Sequence, residues 1–203
     1  PRKPVTNRNL VNFKSLGIFF RKRQTALFLV IILVYGIAIS PILQFINLYY
    51  KDIGASSSFI GMVFFVQALP EIPAFLVGAR LVKRIGAERI MLVSMGASTM
   101  RMVFYGLVST PEIAIIGSAL HCITIAFFLE GVVEYVQDRT PAHLRTTGQA
   151  LIWAFHFGAG LTLGNISLGY LRDAVGMNTA MLVHAGLALV ILALTLIFFR
   201  KQR

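Results

Sequence analysis

The sequence predicts an all-α membrane protein of six transmembrane helices. Three observations carry that prediction. Hydrophobic residues fill 57% of 203 positions and charged residues only 13%, against about 25% charged in a soluble domain. Apolar runs longer than about 18 residues, each enough to cross a bilayer, recur along the chain. The stretches between them are short and carry turn chemistry, as in Asp52-Ile53-Gly54 and Ser109-Thr110-Pro111. No separate soluble domain fits. Cys122 is the single cysteine, which excludes an internal disulfide.

The elements follow in order. Residues 1–24 are basic, with Leu10, Phe13, Leu16, Gly17 and Phe20 on one helical stripe. They read as a cytoplasmic linker, either a tether or an amphipathic segment lying on the membrane surface. The six-helix bundle occupies 25–203, with spans over about 25–49, 56–80, 88–108, 112–137, 146–171 and 175–199. The first apolar run is too long for a signal-peptide core. The second span contains FFVQALPEIPAFLV, in which Pro70 and Pro73 flank Glu71. Each proline lacks an N–H and disturbs the helix. In lipid such breaks are tolerated where protein or a water cavity satisfies the freed carbonyls. The fifth span carries Gly160 and Gly164 as a GxxxG pair, a pattern suited to close helix packing.

Charge fixes the predicted direction. All but three of the 19 Lys and Arg residues fall in the N-terminal arm, the second-to-third and fourth-to-fifth connections and the tail. The exceptions are Lys51, Arg172 and Arg101. The positive-inside rule then places both termini in the cytoplasm of a multi-pass protein of the plasma or inner membrane. The net charge of +11 is distributed by topology, without the aromatic-basic interleaving of a nucleic-acid surface.

Ionisable residues at bilayer depth cost roughly 2.5–3.5 kcal/mol on insertion scales and are functional candidates by default. Glu71, Arg101, His121 and His156 all fall near the middle of their spans. Gln67 stands one turn before Glu71, Tyr105 one turn after Arg101, Thr124 three residues after His121, and Trp153 three before His156. On the first span Ser40, Gln44 and Asn47 share a stripe. Glu130 and Glu134 pair lower on the fourth span. Each has a plainer reading: a structural ion pair for Glu71 and Arg101, a bond to a neighbouring helix for His156 and Glu130, core packing for Trp153.

The order of PEIP around Glu71, MRMVFYG around Arg101 and ALHCIT around His121 resembles the C-terminal six-helix half of a major facilitator superfamily transporter. The closest likeness is to the lactose-permease-like oligosaccharide and nucleoside proton symporters. LVKRIGAERI resembles the superfamily's cytoplasmic loop motif through Arg84, Gly86 and Arg89, with Lys83 where an aspartate is usual. The resemblance implies a 3+3 inverted repeat, substrate binding at Glu71 and His121, and proton coupling assisted by Arg101. It also implies a glutamate three residues after the histidine, where this chain has Thr124, so Glu71 or Glu130 would have to carry the proton.

The expectation is therefore half of a secondary transporter, proton-coupled and moving a sugar, nucleoside or organic acid by alternating access. Gln67, Trp153 and His156 complete its binding set. Its partners are the bilayer, a small-molecule substrate, the proton, and either a preceding six-helix half or a second copy. No cofactor or metal is called for. An intramembrane enzyme is the alternative, although HExxH and GxSxG are absent. A self-associating six-helix bundle is another.

Overall fold

The computed structural model describes residues 22–202. The amphipathic stripe of the arm lies outside them. Among the described residues six helical runs are long and apolar enough to cross a membrane. The first is α1 (Arg23–Gln44) followed by the short α2 (Ile46–Asp52). The second joins α3 (Ser57–Ala68) to α4 (Glu71–Ile85), and the third is α5 (Ala87–Leu107). The fourth joins α6 (Pro111–Ala119) to α7 (His121–Arg139). The fifth comprises a 3₁₀ turn (Ala142–Leu144), α8 (Arg145–Trp153), a π-helical segment (Ala154–Gly160) and α9 (Leu161–Val175). The sixth is α10 (Met177–Arg200).

The PEIP stretch explains the break in the second span. Pro70 caps α4, Glu71 is its first residue and Pro73 its third. A helix's first N–H groups have no partner within the helix, so Pro73 sacrifices little there. A carboxylate in the first turn also suits the positive end of the helix. The helix stops and restarts rather than bending through two prolines. The fourth span restarts in the same way at His121, after Leu120 turns back to the carbonyl of Gly117.

Helix pairing follows an inverted repeat of three spans. The first span packs on the fifth and the second on the fourth, while the third and sixth pack on each other. The first also meets the sixth, as the fourth meets the third. The two turns related by this symmetry share a conformation. Gly86, between α4 and α5, has φ 88° and ψ 155°, and Gly176, between α9 and α10, has φ 80° and ψ 161°. Side chains with a Cβ rarely adopt this positive φ.

The seam of the first and fifth spans is set by glycine. A Cβ on Gly160 would lie 2.8 Å from the Leu33 carbonyl oxygen and 3.0 Å from Gly36 Cα. One on Gly164 would lie 2.6 Å from the Ile37 carbonyl oxygen. Pro41 cannot donate to that carbonyl, which instead faces the glycine. Ser40 is buried here, whereas Gln44 and Asn47 of the same predicted stripe are exposed. On the chain-end face Arg139 pairs with Glu88. On the opposite face Arg172 grips Asp52 through Nε and Nη2, both at 2.9 Å.

Candidate functional site

Arg101 lies on α5 and is wholly buried. A guanidinium cannot shed its proton, so the fold must hold a charge inside the bundle. Its Nη1 donates to His121 Nδ1 at 3.0 Å and faces Thr124 Oγ1 at 3.5 Å. Because arginine only donates, Nδ1 of His121 is the acceptor and the imidazole is the neutral tautomer with its proton on Nε2. Thr124 donates its own hydroxyl to the His121 carbonyl at 2.8 Å, leaving its oxygen to face Arg101. Ser94 donates to the Thr124 carbonyl at 2.7 Å and ties α5 to α7 at this level.

A polar chain runs on from Arg101. Nη2 donates to the Tyr105 hydroxyl at 3.4 Å, and that hydroxyl meets Ser118 Oγ at 2.9 Å. Ser118 also meets the Tyr50 hydroxyl at 3.0 Å and accepts from Gln67 Nε2 at 3.4 Å. Tyr105 accepts from arginine and keeps its own proton for Ser118, which also accepts from Gln67 and so has its single proton for Tyr50. Such chains polarise cooperatively in a low-dielectric interior. The network draws on α2, α3, α5, α6 and α7, so it locks the first four spans around one buried cation.

The predicted residues divide on this geometry. Arg101, His121 and Gln67 belong to the network. Glu71 heads α4 half-buried, and among the described residues no ion pair joins it to Arg101. Glu130 packs lower down, its Cγ 3.3 Å from where a Cβ on Gly78 would stand, within the seam of α4 and α7. His156 is separate: it sits in the π-helical segment, donates from Nδ1 to the Ile32 carbonyl at 3.2 Å, and packs against Tyr35 and Phe128, whose rings also meet each other. Trp153 is exposed and touches Phe157. Arg84 and Arg89 are exposed beside Gly86. No group of three metal-ligating side chains occurs among the described residues.

Two members of the network, Ser118 and Tyr50, were not anticipated from sequence. Ser118 stands three residues before His121, a spacing that shares a face only in a continuous helix, and the span is interrupted between them. Tyr50 carried no signal, because its place depends on how α2 folds over α6.

A bundle with this helix order, this inverted pairing and a buried polar network is the six-helix half of a major-facilitator-type transporter. The chain belongs to the MFS_1 like family, whose model matches residues 4–183. An uncharacterized transporter of Bacillus subtilis (strain 168), YwbF, is 26% identical over 161 residues, covering 78% of this chain and 40% of that protein. A crystal structure of a mutant of the nucleoside transporter NupG superposes with a TM-score of 0.83 at 19% identity, over 97% of this chain and 54% of that one. That likeness is one of fold. The chain thus spans about half the length of these relatives, which are transporters rather than enzymes.

Proposed function

We propose that this chain supplies one half of a secondary transporter that moves a small polar solute by alternating access, coupled to protons. The observation that supports this most directly is Arg101, a buried cation held by His121, Thr124 and Tyr105 at the level where the second and fourth spans restart. Interrupted helices that bring polar groups to the bilayer midplane suit a site alternately exposed to each side. The partner is a second six-helix half or a second copy of this chain, rocking against it. The membrane is the cell membrane, with both chain ends cytoplasmic.

In this reading Glu71 and Glu130 are the candidates to carry the proton, because Thr124 cannot. Glu71 is the better placed, standing at the head of α4 near the middle of its span. Gln67 and the free Nε2–H of His121 serve the solute, and Trp153 and His156 line the fifth span. The test is proton-driven accumulation by the full-length protein in liposomes, with sugars, nucleosides and organic acids as solutes. Glu71→Gln is expected to abolish accumulation against a gradient while leaving the melting temperature unchanged. Accumulation that persists in this variant removes Glu71 from the mechanism.

A further inference from the structure

We infer that the solute bears a carboxylate, and that the Nε–Nη2 edge of Arg101 is where it docks. This deepens the transport reading above and rests on it. A guanidinium offers five N–H donors in a fixed fork. At Arg101 the Nη1 end is engaged by His121 and Thr124. On the other edge Nη2 has only the Tyr105 hydroxyl, at 3.4 Å, and the buried Nε has no protein acceptor. Arg172 shows what this edge takes when satisfied: its Nε and Nη2 hold the two oxygens of Asp52, each at 2.9 Å. Two parallel N–H groups match a carboxylate and not a lone hydroxyl.

Charge argues the same way. Among the described residues no carboxylate pairs with Arg101, and its closest side-chain partners, His121, Thr124 and Tyr105, are neutral. His121 contributes a further donor through Nε2–H. A sugar or nucleoside would leave the guanidinium without a counter-charge, whereas an organic acid supplies it. Arg101 is enclosed in this conformation. The carboxylate reaches its edge in the state that opens the bundle to solvent.

The experiment is ligand-dependent melting of the full-length protein in detergent, since a bound solute raises the melting temperature by mass action. The probes are monocarboxylates of increasing size, each paired with its neutral amide, alongside uridine and lactose. At least one carboxylate is expected to raise the melting temperature where its amide does not. Thr124→Asp places a near-isosteric carboxylate beside Nη1 and is expected to weaken that binding at least tenfold. Arg101→Lys keeps the charge but loses the fork, with a similar loss expected. Stabilisation by uridine or lactose and by no carboxylate overturns the anion assignment and leaves the transport site standing. Stabilisation by no solute of any class overturns both. Carboxylate binding undiminished in whichever of the two variants folds removes Arg101 as the docking point.

Discussion

Gly160→Ala should unseat the fifth span from the first. The new Cβ would stand 2.8 Å from the Leu33 carbonyl oxygen, 2.9 Å from that of Phe155 and 3.0 Å from Gly36 Cα. All three are backbone atoms, so no side chain can rotate away. Ordinary carbon contacts begin near 3.4 Å, and the helices must separate by several tenths of an ångström. Overpacking of this kind costs about 1–3 kcal/mol. The bond from His156 to the Ile32 carbonyl, already 3.2 Å, crosses the same seam, and losing it adds about 1 kcal/mol. For a chain of this length each kcal/mol moves the melting temperature by roughly 2–4 °C. A fall of about 4–16 °C is expected, followed through the fluorescence of Trp153, the chain's only tryptophan. Gly96→Ala and Gly186→Ala are the controls, since a Cβ at either meets nothing within 4 Å. If Gly160→Ala melts with the controls, the close approach of the two backbones is not what holds this seam.

Two further substitutions test the network and the turns. Ser118→Ala removes the common partner of Tyr50, Tyr105 and Gln67 and should cost about 1–3 kcal/mol in thermal unfolding; a neutral result would mean these groups pair with each other or with water. Gly176→Ala forces a side chain to φ 80° and ψ 161° and should cost about 1–3 kcal/mol, whereas Gly169→Ala, with open space at its Cβ, should not.

How far the sequence reveals this depends on whether a feature is written locally. The spans are legible because a bilayer demands long apolar runs, and the break at Pro70 is legible because proline carries its own stereochemistry. The break at Leu120 has neither proline nor glycine at it, and nothing local announces the π-helical turn around His156. Within the site, the shared depth of Arg101 and His121 was enough to suggest their meeting. Depth says nothing about rotation of a helix about its axis, however. Glu71, at a similar depth, makes no ion pair with Arg101 among the described residues, because α4 restarts at that residue and presents it at a helix end. Ser118 carries no signal of its own because a serine in a span is cheap, and only tertiary contacts show that three side chains converge on it.

The inverted repeat shows how one backbone device came to serve different chemistry. Gly86 and Gly176 make the same turn on opposite faces, so positions at equal offsets from them correspond. Two residues after Gly86 stands Glu88, which pairs with Arg139 on the fourth span. Two residues after Gly176 stands Asn178, whose amide caps the carbonyls of Tyr105 and Val108 at the end of α5, at 3.2 and 2.8 Å. Three residues before the glycines stand Lys83 and Asp173. The acid that the loop motif usually carries at the first position is thus present at the second. The irregularities obey the same symmetry: the first and fourth spans are interrupted, the second is interrupted where the fifth turns π-helical, and α5 and α10 run through. The unbroken pair pack on each other and form a frame. Arg101 sits on one of those continuous helices, while its partners His121 and Thr124 come from an interrupted one. The buried cation is therefore carried by a continuous helix of the central pair, and the side chains that accept from its Nη1 by an interrupted one.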